Sequence, residues 1–253
     1  MGDSTGKTGL GTACTSNGLK LSERQLALMD ELAVRLLDWN KKINLISRRD
    51  EGNFWSSHLL HCLALLFRVE LPSGSRILDL GTGGGLPGLP LKIARPDLTL
   101  TLLDSTQKKI NVAKDLISAL RLDGVTAVWG RAEDVGTTKE HHHRYDIVLA
   151  RAVGSLKDLV RWSEPFLKTN DITVSAIARG KDESKILIEK PTLITFKGGD
   201  LEGEIGQIQN LPQVKNITVL DLTLRGSSQL GGGEKKIVLV EIGRNPKQKA
   251  ENP

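Results

Sequence analysis

The stretch Arg76-Ile77-Leu78-Asp79-Leu80-Gly81-Thr82-Gly83-Gly84-Gly85 decides the fold. An apolar run ending in an acid and a cluster of glycines reads as a strand entering a tight turn. Glycines beyond a strand end let a nucleotide cofactor press against bare backbone. Asp79 is the discriminating residue. A carboxylate at the strand end repels a dinucleotide pyrophosphate but suits an ammonium or sulfonium group. S-adenosylmethionine carries both cations, so this segment favours that cofactor over a nicotinamide.

A rival pattern is also present, because Gly83-Gly84-Gly85-Leu86-Pro87-Gly88 spells G-x-G-x-x-G. Counted from the strand end, however, the third glycine would have to stand at Leu86, and Pro87 reads as the first residue of the next helix. The following strand, Leu98 to Leu103, ends in Asp104-Ser105, about 20 residues past the glycines, where an acid receives ribose hydroxyls. Both cofactor classes use that position, and an N-cap carboxylate has the same look.

Outward from this core, strands are predicted at 76–80, 98–103, 125–129 and 145–150, with helices at 87–95, 106–121 and 155–168. Such alternation with short links specifies a parallel doubly wound sheet. A capping box at Ser22-Glu23-Arg24-Gln25 opens a helix to about Asn40, and 53–68 has helical spacing. Further on, 191–197 is the better strand candidate, 200–209 a helix, and 214–224 with 235–242 an antiparallel pair joined through 226–233. The fold class is therefore α/β: a Rossmann-like sheet with an N-terminal helical extension and a C-terminal antiparallel hairpin. The expected partition is a disordered tail over 1–20, the extension over 21–70, the sheet domain over 71–245 with an insertion at 169–190, and a tail over 246–253.

A length of 253 residues allows a sizeable core, and the net charge of +5 is a modest hint of an anionic partner. Placement says more than the total. Lys41, Lys42, Arg48 and Arg49 follow the first long helix, while Lys108, Lys109, Arg131, Arg151 and Arg179 fall near the ligand-binding edge of the sheet. Cys14 and Cys62 show no metal or redox spacing and point to a reducing compartment. His141-His142-His143 has no second ligand cluster and reads as a solvated linker. No stretch is apolar enough to cross a bilayer, and no metal and no DNA partner are expected. The expected location is the cytoplasm, or a plastid or other organelle in a eukaryote, and the expected state is a monomer.

Five ordered segments carry a resemblance: Trp39 to Leu45, Asp79 to Leu91, Leu103-Asp104-Ser105 with Lys108-Lys109, Gly130-Arg131-Ala132-Glu133, and Ala150-Arg151-Ala152-Val153. Together they resemble the ribosomal RNA small subunit methyltransferase G family, also called glucose-inhibited division protein B, closely over 22–168 and loosely beyond. The resemblance implies methyl transfer from S-adenosylmethionine to N7 of a guanine in the 530 loop of 16S ribosomal RNA, free or within the 30S particle. It implies that Asp79, Gly81, Gly83, Leu86, Asp104, Ser105, Ala132 and Glu133 hold the cofactor, with Arg151 at the mouth of the site. Arg151, Arg131 and Lys108 would position the RNA. Two departures stand out: His58-Leu59-Leu60-His61-Cys62 lacks the acid usual after the helix histidine, and 169–190 is long and polar.

The residues agree with such a substrate. Exocyclic amine methylation favours a polar-Pro-Pro-aromatic loop after the fourth strand, which this chain replaces with Leu149 to Val153. Pyrimidine carbon methylation requires a cysteine beside the cofactor, and both cysteines lie outside the sheet motifs. Guanine N7 has a free lone pair and needs no general base, only alignment with the methyl group. Three alternatives remain at this level: a small-molecule methyltransferase, a nicotinamide-dependent oxidoreductase on a similar sheet, and an RNA-binding protein without turnover, against which the intact Asp79, Gly81, Gly83 and Asp104 speak.

Overall fold

A computed structural model describes residues 4–170, 185–222 and 234–243. Its centre is a seven-stranded sheet built from β2 (Arg76–Leu80), β3 (Thr99–Asp104), β4 (Val125–Trp129), β5 (Ile147–Arg151), β7 (Thr192–Gly198), β8 (Val214–Asp221) and β9 (Lys235–Ile242), in the order β4-β3-β2-β5-β7-β9-β8. The first five are mutually parallel, and β9 runs antiparallel to both β7 and β8. A short parallel pair lies apart, β1 (Val69–Glu70) with β6 (Ile186–Leu187). The chain winds outward from β2 in both directions, so the sheet reverses between β2 and β5. Ligand crevices of open α/β sheets form at the carboxyl ends of strands at such a switch point.

Strand residues alternate between two apolar layers. Ile77, Leu100, Leu102 and Leu149 face the layer covered by α2 (Glu23–Asn40), α5 (Gly88–Ala94) and α6 (Gln107–Ala119). Leu78, Leu80, Leu103 and Val148 face the opposite layer, covered by α7 (Leu156–Ser163) and α8 (Glu202–Ile208). The capping box forms, with Ser22 N–H donating to Gln25 at 2.8 Å and Gln25 N–H to the Ser22 hydroxyl at 3.2 Å. The same Gln25 amide donates to the carbonyls of Ile93 and Ala94, both at 2.9 Å. One side chain thus caps α2 at its start and α5 at its end.

Three expectations are corrected. The glycine-rich start is not a free tail, because Ser4–Ser16 forms helix α1 and buries Leu10 and Cys14 one turn apart. Gly6 accounts for its glycines in part: a Cβ there would collide with Trp55. The stretch 53–68 is not one regular helix but a π-helical turn, Trp55–Leu60, followed by short segments α3 (His61–Leu63) and α4 (Leu65–Arg68). Helix α5 starts at Gly88 rather than Pro87. Most of the 169–190 insertion, the 226–233 connection and the 246–253 tail lie outside the described residues.

Candidate functional site

Beyond β2 the chain turns at Gly81, whose φ of +69° is left-handed backbone that side chains resist. A Cβ there would lie 2.6 Å from Val153 Cγ2. The Gly81 and Thr82 N–H groups donate to the Leu103 carbonyl at 2.8 and 3.0 Å, and Gly83 N–H donates to Asp104 Oδ2 at 2.9 Å. The other Asp104 oxygen accepts Thr106 N–H at 2.8 Å. These bonds lock the carboxylate, and each oxygen keeps lone-pair capacity for a ligand hydroxyl.

Above this turn lies a cavity of about 390 Å³, within the range of small-ligand sites. Gly81, Asp104 and Ser105 line one side, and Arg131, Ala132 and Glu133 line another. These six are sequence-predicted residues that the structure brings together. The rest of the wall, which includes Lys109, Gly130, Ala152, Val153 and Trp162, was not singled out among the cofactor residues. Trp162 is fixed there by donating its indole N–H to Glu133 at 2.7 Å.

Other predicted cofactor residues stand elsewhere. Asp79 is fully buried beneath the loop, facing α5. Its Oδ2 accepts the Thr82 hydroxyl at 2.7 Å and Gly88 N–H at 2.9 Å, so it shapes the glycine turn from below rather than lining the cavity. Burial pushes its pKa up to about 6, against the pull of those two hydrogen bonds. The alternation of Ile77 and Asp79 on one face required this orientation. Leu86 is a core side chain and Gly83 acts by holding Asp104; Lys108, expected to position the RNA, is exposed outside both cavities, and Lys109 lines the first.

Arg151, at the end of β5, belongs to a second cavity of about 660 Å³. Its guanidinium donates to His58 Nδ1 at 2.5 Å and lies 3.4 Å from Cys62 Sγ. The walls come from distant parts of the chain: Asp50 and Asn53, His58 and His61, Phe196 and Lys197, and Lys235. Burial first, then the Arg151 charge, lowers His58 to about 4 and His61 to about 3, so both rings are neutral near pH 7. Ala152 lines both cavities, in left-handed backbone at φ +57°. Strain in a non-glycine residue at such a junction is a recurrent mark of functional sites. The histidine tract at 141–143 forms a turn with His142 exposed, but its rings are tied down rather than free. His141 bonds the Tyr145 hydroxyl at 2.6 Å, and His142 and His143 bond main-chain carbonyls. Among the described residues no cluster fit to hold a metal occurs.

The rRNA small subunit methyltransferase G family model matches residues 25–221, well over half of the chain. The chain belongs to this family. Ribosomal RNA small subunit methyltransferase G of Moorella thermoacetica is 31% identical over 220 residues, 87% of this chain and 77% of its own. The Desulforamulus reducens protein of the same name is 37% identical over 181 residues, 72% and 75% of the two chains. Among solved structures, M. jannaschii TYW2 in complex with AdoMet aligns with a TM-score of 0.52 at 12% identity, covering 81% of this chain and 80% of that one. That likeness concerns the fold. With family membership goes the cofactor class expected from the sequence: this member is an S-adenosylmethionine-dependent methyltransferase. The nicotinamide alternative is thereby set aside.

Proposed function

We propose that this chain methylates N7 of a guanine in the 530 loop of 16S ribosomal RNA, with the cofactor in the cavity over Gly81 and the target base in the cavity beside Arg151. The supporting observation is the pair of cavities that share Ala152, one floored by a fixed carboxylate and the other rimmed by Arg151, Lys197 and Lys235. The two relatives reported above bear ribosomal RNA in their names.

The residues of the first cavity fit S-adenosylmethionine. Asp104 would accept the ribose hydroxyls, Ala132 and Glu133 would flank the adenine, and the bare backbone of Gly81 would admit close approach. Bound there, the cofactor supplies an electrophilic methyl group on a cationic sulfur. The chain's task is alignment, since guanine N7 carries a free lone pair and no proton has to leave. Neutral His58 and His61 suit that chemistry, because neither imidazole competes as a cation for the N7 lone pair. Arg151 and Lys235 serve as holders of the phosphate backbone or base edge, and none of the residues acts as a general base.

The test is transfer of labelled methyl from S-adenosylmethionine to unmodified small-subunit particles, with mapping of the modified base. Asp104→Ala serves as the cofactor-site control. Label at a 530-loop guanine N7, lost in the variant, supports the reading. Label at another atom, or transfer only to a small molecule, refutes it.

A further inference from the structure

Two buried imidazole nitrogens in the second cavity have no hydrogen-bond partner, His58 Nε2 and His61 Nε2. Both residues are 8% exposed, both line the same cavity, and they stand three positions apart across the end of the π-helical turn Trp55–Leu60. Buried polar atoms are nearly always paired, and irregular π turns recur at functional sites. An unpaired couple on one such turn therefore requires an explanation.

Their protonation follows from their neighbours. Arg151 can only donate, so His58 Nδ1 must accept, and the His58 proton resides on Nε2. The Asp50 carboxylate is 3.9 Å from that Nε2, too far for a hydrogen bond. The Ser57 backbone favours a proton on the His61 ring, and with Nε2 unpartnered we place that proton on Nδ1. The His61 Nε2 is then a bare lone pair. Between them the two rings offer one donor and one acceptor. Phe196 meets the His61 ring edge-on at 5.2 Å between centroids and fixes its plane.

Resting on the reading above, we infer that His58 and His61 select guanine in the acceptor cavity, His58 Nε2–H donating to O6 and His61 Nε2 accepting from N1–H. Adenine presents the reverse order, an amino donor where guanine has O6 and a lone pair at N1, and would set donor against donor and acceptor against acceptor. Extruded bases are commonly read along this edge, against an aromatic wall. N7 lies on the other side of O6 and stays free for methyl transfer.

His61 is the cleaner of the two to test, because His58 also holds Arg151. H61F keeps an aromatic ring against Phe196 and removes the acceptor, and H61Q restores an acceptor oxygen at the reach of Nε2. Methyl transfer to unmodified small-subunit particles is measured for both, together with cofactor affinity and melting temperature. Loss of one good base-edge contact predicts that H61F lowers kcat/KM by about 10- to 100-fold with cofactor affinity unchanged, and that H61Q recovers most of the loss. Equal kcat/KM for H61F and the wild-type chain overturns the inference and leaves the proposed function standing, as does an equal loss in H61F and H61Q. No transfer by the wild-type chain overturns both.

Discussion

Gly81→Ala joins backbone strain to cofactor binding at one atom. The new Cβ would occupy left-handed backbone at φ +69°, which costs about 1–2 kcal/mol for a residue with a side chain. It would also lie 2.6 and 2.8 Å from the two Val153 methyl carbons, and relieving such overpacking typically costs about 1–3 kcal/mol. The sum predicts a destabilisation of about 2–5 kcal/mol, or roughly 4–20 °C in melting temperature for a chain of this size. Adding Val153→Ala removes the colliding methyls, so the double variant should recover the steric share and retain the conformational one. A double-mutant cycle by urea denaturation, run beside calorimetric titration with S-adenosylmethionine, separates the two. Because Gly81 and Val153 both line the cavity, cofactor affinity should fall in Gly81→Ala and rise again in the pair. A Gly81→Ala variant as stable as the wild-type chain, or additive single and double effects, would refute the reasoning.

Other outcomes follow from the same geometry. Asp79→Asn keeps an acceptor for Thr82 and Gly88, so it should fold and bind cofactor near normally, whereas Asp79→Ala strands two buried donors at about 1–3 kcal/mol each; equal behaviour of the two in denaturation and cofactor titration would contradict this. The raised Asp79 pKa means that the folded state keeps a proton the unfolded chain has released, so this group favours folding below about pH 4 and loses that advantage as pH rises through about 6. His58 and His61 act oppositely: their lowered values favour folding above about pH 6.5, an advantage lost as pH falls toward 4 and 3. With two groups against one, stability should climb between pH 4 and 6.5, and H61F should flatten the climb in a pH series of urea midpoints. Lys235→Ala should weaken RNA binding, leave cofactor affinity alone, and reduce the salt slope of binding by about 1; an unchanged slope would remove Lys235 from the RNA surface.

The sheet and the carboxylate of its first cavity were legible because each rests on local signals. Apolar alternation gave β2 to β5 within two residues, and the spacing from the glycines to Asp104 named the carboxylate that the fold fixes with two backbone donors. Asp79 was chemically plausible as a cofactor ligand, but strand parity turned it toward α5, a consequence readable from Ile77 two residues earlier. The second cavity was far harder to see. Its walls run from Asp50 to Lys235, and only the fold brings these segments together. His58 and His61 carried a signal, a departure from the expected acid, without a location. The first helix was missed because glycines argue against helix locally, whereas Leu10 and Cys14 at one-turn spacing gain their helix from burial.

Ala152 makes the partition between the two cavities a single residue thick. Two compartments with so thin a common wall cannot be redesigned separately: bulk added at this position intrudes on both, and a backbone shift that relaxes its left-handed turn moves both floors together. The same thinness suits a ligand that bridges them. A nucleoside tethered to a guanine mimic through a linker of a few atoms would pass over Ala152 and engage both sides at once, converting the second contact into an intramolecular one and gaining the effective concentration that short tethers provide.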